Sequence, residues 1–239
     1  MYRLGNNILT LNNKPFYIGG VVLPYPIDGL VAQYEDSVNN HTASIYNSPD
    51  ITTVTQWDDL SGNNHHLAST VSSCYTTLKR LYFDRNSLYC DNFITGKNIT
   101  FFSVMNSANL SAANTYWGFY NTLTTLTDGY ILIKYPLITE NGFSYTQNYG
   151  GTSSIELHVL QTTTNINNFI FTKNNVSILG SLSGSDWGKN PANANYYQVC
   201  YKATNHRAYW KAHMIYDRAL STAEITQVTN YLKTKYSIY

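Results

Sequence analysis

Fourteen Asp and Glu residues could supply carboxylate chemistry, and their spacing decides how. An acid and a nucleophile for glycoside hydrolysis must converge on one surface. Residues two apart on a strand do so, because alternate side chains share a face. No two acidic residues stand two apart anywhere in the chain. Glu35-Asp36 and Asp58-Asp59 are adjacent pairs, which an extended backbone sends to opposite faces. A pair drawn from distant strands is the alternative. His65 and His66 adjoin without an acid at ligand spacing, and nothing builds Asp128 and Asp186 into a calcium cage. HExxH, Cys/His zinc spacing and a Gly-rich phosphate loop are absent from the sequence. The expectation is therefore no catalytic residue, no metal and no cofactor: the chain is read as not an enzyme.

Flat rings in polar loops are better candidates for recognition. Asp186 and Trp187 lie in "SGSDWGKNPANANYY", and Tyr145 and Tyr149 lie in "NGFSYTQNYGG", read as a second long loop. A ring stacking on a pyranose, with Asn or Asp bonding its hydroxyls, is a common physical arrangement for glycan binding. Trp187, Tyr145, Tyr149 and Asp186 are the candidate glycan ligands; the alternative for Trp187 is a pin holding its loop to the body. Trp57 and Asp59 in "WDDLSG" read differently. Trp57 should pack on the body, while Asp59 and Ser61 bond backbone in a tight turn closed by Gly62.

These residues need a scaffold, and the patterning predicts one rich in strands. "GLVAQYE", "NITFFSVM", "YWGFYNTL", "GYILIKY", "SSIELHVL", "NYYQVCYK" and "RAYWKAHMIY" are dense in β-branched and aromatic residues. In the last, alternation places Trp210, Ala212, Met214 and Tyr216 on one face and Tyr209, Lys211 and His213 on the other. Ten or more strands with few helices favour an all-β, two-sheet antiparallel sandwich. One short C-terminal helix closes it. Ser221 and Glu224 form a capping box, Leu220 and Ile225 are placed for a hydrophobic staple, and Ile225, Val228, Tyr231, Leu232 and Tyr236 recur at helical spacing. The helix is expected against an edge or end of the sandwich with Ile225, Val228 and Leu232 buried. Residues 1–27 read as an N-terminal arm: a hairpin over 8–18, then a connector with Gly19, Gly20, Pro24 and Pro26. Residues 28–239 form the sandwich domain.

Charged residues make up 12% of the 239, the formal net charge is +1, and Tyr occurs 22 times. A neutral surface of amides, hydroxyls and amphipathic rings suits neutral polymers or other copies of an assembly, and gives no footprint for nucleic acid. No signal peptide or membrane-length apolar run is visible, so membrane insertion is not expected. The three widely spaced cysteines read as reduced thiols of a protein made in the cytosol.

Several segments together resemble the concanavalin A-like lectin/glucanase superfamily, in particular its laminin-G-like jelly rolls. They are "GLVAQYE", "WDDLSGNNHHL", "YFDRNSLYC", "TFFSVM" and the closing "IYDRALSTAEI", spread over about residues 28–236. Arg85 stands where that group often has Gly. Its retaining glucanases carry an E-x-D-x-E or E-x-D-x-x-E strand that this chain lacks. The resemblance implies a jelly roll with a lectin-like role. It extends to bacteriophage tail, neck or head-fibre proteins, made in the host cytoplasm and released by lysis. The expected function is thus a non-enzymatic structural or decoration protein of a virion. Its arm would dock on other virion proteins, its sandwich would touch host-surface glycan, and it would be present in many copies. A glycanase or depolymerase on the same fold, or a decoration protein without a sugar site, are the alternatives.

Overall fold

The computed structural model describes residues 17–18, 21–22, 25–35, 41–48, 51–68, 74–77, 80–84, 87–109, 115–120, 129–134, 137–140, 143–146, 155–163, 170–174, 176–177, 181–183, 191–199 and 207–238. Among the described residues the chain is all-β with one α-helix, and every strand pairing is antiparallel. One sheet runs Leu30–Glu35, Arg207–Tyr216, Ile99–Asn109, Glu156–Thr162, Ile170–Lys173. The opposing sheet runs Leu88–Asp91, Tyr196–Val199, Thr115–Tyr120, Gly129–Lys134, Leu137–Glu140 and continues into Phe143–Thr146 and Ser181–Ser183. Short strands Arg80–Asp84, Cys74–Thr77, Ile51–Trp57 and Leu67–Ala68 carry the pairing from one sheet to the other. This is the sandwich expected from the strand density, and it is compatible with a jelly roll.

Rings fill the space between the sheets. Phe101 meets Phe119 at 6.0 Å, Phe119 meets Tyr197 at 5.1 Å, and Tyr34 meets Trp57 at 5.4 Å. Residues 99–105 of the Ile99–Asn109 strand are buried on both sides of the sheet. Phe101 points at the opposing sheet, and Phe102 and Val104 point away from it. Those outward residues, with Leu157, Val159, Ala212, Met214 and Tyr216, form an apolar surface that water would otherwise wet. The helix Thr222–Tyr236 covers it, burying Val228 and Leu232, with Leu220 and Ile238 at either end. Each such side chain contributes about 1.5–3 kcal/mol on burial. The helix therefore lies across a sheet face rather than at an edge or end. Ile225 packs at the border of the cluster and stays partly exposed, which corrects the expectation that it is buried.

The capping box is formed: Glu224 N donates to Ser221 Oγ at 3.3 Å and Ser221 N donates to Glu224 Oε2 at 2.8 Å. Arg218 clamps the entry, its guanidinium 2.6 Å from Glu224 Oε1 while its Nε donates to the Asp28 carbonyl. Gly29 beneath it has φ +72, and a Cβ there would meet Arg218 Cδ at 2.8 Å. Toward the other end, Tyr231 donates to Glu35 at 3.1 Å and Lys235 pairs with the same carboxylate.

Two local patterns differ from the alternation. Val104 pairs with Ala212 but Met105 pairs with Trp210, so Lys211 is the extra residue of a β-bulge. The bulge turns Trp210 onto the side of His213, their rings 5.4 Å apart, instead of the side of Ala212 and Met214. Near the N-terminus, Tyr17–Ile18 pairs with Val21–Val22, so strands flank Gly19-Gly20 where a connector was expected. The hairpin read over 8–18 lies mostly outside the described residues. Tyr25 packs on Tyr231 at 4.7 Å and the Pro26 carbonyl accepts from Tyr216.

Candidate functional site

The "WDDLSG" segment is a turn built by one carboxylate. Asp59 accepts from Gln33 N, Ser61 N and His65 N at 2.9, 2.9 and 3.0 Å, and the Ser61 hydroxyl lies 2.8 Å from its Oδ2. Gly62 and Asn64 take the left-handed φ values the reversal requires. Trp57 is buried and donates to the Glu35 carbonyl at 3.0 Å. Asp59 spends its acceptors on its own backbone, as the sequence indicated. His66 is held there too, its Nδ1 accepting from Asp59 N. Among the described residues no group of three or more His, Cys, Asp or Glu could hold a metal ion. Cys90, a free thiol, is pushed up to about 12 by burial and is a poor nucleophile at neutral pH.

A polar row crosses the inner face of the helix-covered sheet, with Lys173, His158, Ser103, His213 and Tyr34 as successive register partners. Ser103 Oγ lies 2.8 Å from His213 Nδ1, and Tyr197 of the opposing sheet bonds Nε2. Burial lowers the His213 pKa to about 3, so its ring is neutral and uses one nitrogen as donor and one as acceptor. A Ser–His pair has the parts of an activated nucleophile. At 0% exposure for His213 and 1% for Ser103 the pair has no access for substrate, and it is the Tyr197–His213 bond that ties the two sheets together. Beside the row, two residues from His158 on its strand, Glu156 lies 3.0 Å from His158 Nε2 and 2.7 Å from Lys173 Nζ, a buried carboxylate compensated by its neighbours.

The outer face of the opposing sheet, on the far side from the helix, is covered over Gln198, Gly118 and Tyr120 and leaves Tyr89, Tyr196 and Asp91 at least partly exposed. Tyr89, Gln198 and Gly118 form one register row, and Asp91, Tyr196 and Tyr120 the next. The Tyr89 and Tyr196 rings stand edge to face at 6.1 Å, both partly exposed. Asparagines frame them. The Asn92 amide donates to the carbonyls of Pro191 and Ala194 at 2.9 and 3.0 Å, fixing the 3₁₀ turn Pro191–Asn193, and Asn195 N donates to the Tyr120 carbonyl. That turn ends the "SGSDWGKNPANANYY" loop and delivers Tyr196 to the sheet. Partly exposed rings beside exposed Asp91, Asn193 and Asn195 can stack on an apolar ring face and bond its hydroxyls.

Of the residues expected at a site, Trp187, Tyr149 and Asp186 lie outside the described residues, as does Asp128. Tyr145 is in strand Phe143–Thr146, in register with Ile138 and Leu182, rather than in a loop. Asn141-Gly142 stands between that strand and Leu137–Glu140, a strong hairpin signal that the loop reading passed over. Tyr89, Tyr196 and Gln198 were not expected. Strand parity was the available signal: Leu88 and Val199 are buried in the core, and the residues alternating with Val199 and Leu88 are Gln198 and Tyr89.

No known protein family matches the chain, and no curated protein matches it significantly. Solved structures do resemble its fold. Trypanosoma rangeli sialidase in complex with sialic acid aligns at TM-score 0.55 and 13% identity, over 90% of this chain and 34% of the sialidase. The binding domain of Paraclostridial Mosquitocidal Protein 1 aligns at TM-score 0.53 and 11% identity, over 86% of this chain and 53% of that one. The binding domain of botulinum neurotoxin serotype D/C aligns at 0.50 and 11%, with the same coverages. The chain thus spans about a third of the sialidase and about half of each toxin domain. These neighbours include carbohydrate-related proteins. They also correct the reading that the chain is not an enzyme, since sialidases are enzymes. The exclusion rested on a missing carboxylate pair, and sialidases work with a tyrosine nucleophile instead. At such identity the likeness is one of fold.

Proposed function

We propose that this chain is a lectin-like domain that attaches to glycan on a cell surface. The observation that carries the reading is the outer face of the opposing sheet, where the paired rings of Tyr89 and Tyr196 sit among exposed Asp91, Asn193 and Asn195. Support comes from the structural likeness to a sialidase bound to sialic acid and to two toxin binding domains. The sequence motifs shared with laminin-G-like jelly rolls point the same way. Trp187, Tyr149 and Asp186 are proposed as further contacts from the loops, with Tyr145 beside them. The setting we infer is a bacteriophage particle, with the 1–27 arm docked on other virion proteins. Single protein–sugar sites bind at about millimolar, near −4 kcal/mol, so attachment would come from many copies.

Whole-cell adsorption of the chain displayed on beads tests this. Adsorption should fall when cell-surface glycan is destroyed by periodate and should be competed by polysaccharide purified from the same cells. Adsorption indifferent to both treatments would count against a glycan receptor. Particles built without residues 1–20 of the arm should lose the protein while the sandwich stays folded.

A further inference from the structure

Strand Leu30–Glu35 pairs with Arg207–Tyr216 on one side, and its other side meets residues 57–63. In an antiparallel pair every second residue turns its N–H and C=O toward the partner strand, and the residues between turn theirs away. Val31, Gln33 and Glu35 are the ones that face away. The Asp59 carboxylate accepts from Gln33 N at 2.9 Å, and Leu60 N donates to the Gln33 carbonyl at 2.7 Å. The Trp57 indole donates to the Glu35 carbonyl at 3.0 Å. The Asn63 amide donates to the Val31 carbonyl at 3.0 Å, with the Ser61 hydroxyl 3.1 Å from the same oxygen. An indole, a carboxylate, a carboxamide and one backbone N–H thus take the places that a neighbouring strand's backbone would fill.

A strand in that position would satisfy the same groups and present a fresh row on its own far side, so pairing could continue. The 57–63 segment closes the row instead. Its bonds come mainly from side chains, and Gly62 and the adjoining Asn64 have φ of 90 and 63, which takes the chain off an extended course. An open row of N–H and C=O groups is a template for another chain, and sheets in folded proteins cover it. The chain that fits it best is an identical one. A second copy carries the same Val31, Gln33 and Glu35 row, and two such edges are self-complementary about a twofold axis. We propose that residues 57–63 are an edge guard, which holds the Leu30–Glu35 row closed against strand pairing with a second copy of this chain. Copies crowded on one surface meet at about millimolar effective concentration, where an open edge would join them. The guard does not depend on glycan binding, since none of its residues belongs to the Tyr89–Tyr196 face.

Hydrogen exchange read at single amides, with sedimentation at several concentrations, tests this on the full chain. In the wild type the Gln33 amide should exchange about a hundredfold or more slower than in an unstructured peptide, although it faces away from the partner strand. The triple substitution Asp59→Ala, Ser61→Ala, Asn63→Ala should free that amide in dilute protein. Ala32 and Tyr34, which face Arg207–Tyr216, should stay protected. The same variant should self-associate at least about tenfold more tightly than the wild type, with its Gln33 amide protected again as dimers form. A wild-type Gln33 amide that exchanges at the unstructured rate overturns the proposal, and that measurement decides even where the variant fails to fold. A folded variant that sediments like the wild type overturns it too, as does association that leaves the Gln33 amide exposed.

Discussion

His213 shows how a single residue is used in this core. Its ring is fully buried between Ser103 and Tyr197, and burial lowers its pKa to about 3, against about 6.5 in an unfolded chain. Between those values the unfolded chain binds a proton that the folded one refuses. The contribution is complete above about pH 6.5 and falls as pH drops toward 3, by up to about 1.4 kcal/mol per unit. Thermal melts from about pH 7.5 to about pH 4.5 should show a falling melting temperature, with a shallower fall in His213→Gln. A flat wild-type profile would contradict the buried neutral imidazole. Asp59 is a contrasting case, since Ser61 and His65 lie within 6 residues of it, with Gln33 26 residues away. Asp59→Ala strands the N–H groups of Gln33, Ser61 and His65 and should cost about 2–4 kcal/mol in chemical denaturation. The Asp59 turn was legible because the Ser61 N–H and hydroxyl that bond Asp59 lie inside "WDDLSG" itself. His213 was not, because Ser103 and Tyr197 reach it from distant strands and alternation assigns it to the face of Lys211.

At the scale of elements, the helix was legible and its seat was not. The capping box and the Val228–Leu232 spacing are local, whereas the apolar face that receives them is assembled from Phe102, Val104, Leu157, Val159 and Met214. A stripe on a helix does not say whether a sheet's edge or its face awaits it. The bulge at Lys211 was equally hidden, because one inserted residue leaves the composition of the strand unchanged. Leu232→Ala should cost about 2–5 kcal/mol through the cavity it leaves, and Ser221→Ala about 1 kcal/mol. Both are readable as shifts in the denaturant midpoint at constant slope. Hydrogen bonding from Arg218 holds Glu224 down to about 2. This clamp is at full strength above the usual carboxylate range and is lost as pH falls from about 4.5 toward 2. Gly29→Ala should strain it at any pH, since the residue would need a left-handed backbone and would press on Arg218.

For the whole molecule, the density of β-branched and aromatic segments was enough to reach an all-β antiparallel sandwich, since each strand carries its own signal. Which sheet face meets a ligand is a matter of parity among strands far apart in sequence, so the candidate rings were sought in loops instead. On the lectin-like reading proposed above, the sandwich should bind weakly at each site and strongly in number. The most direct test is a glycan array probed with the folded chain as monomer and as a multivalent display. The account predicts retention of the multivalent form on a defined set of glycans, with the monomer near about 1 mM. A cooperatively melting protein whose multivalent form is retained by no glycan would contradict it.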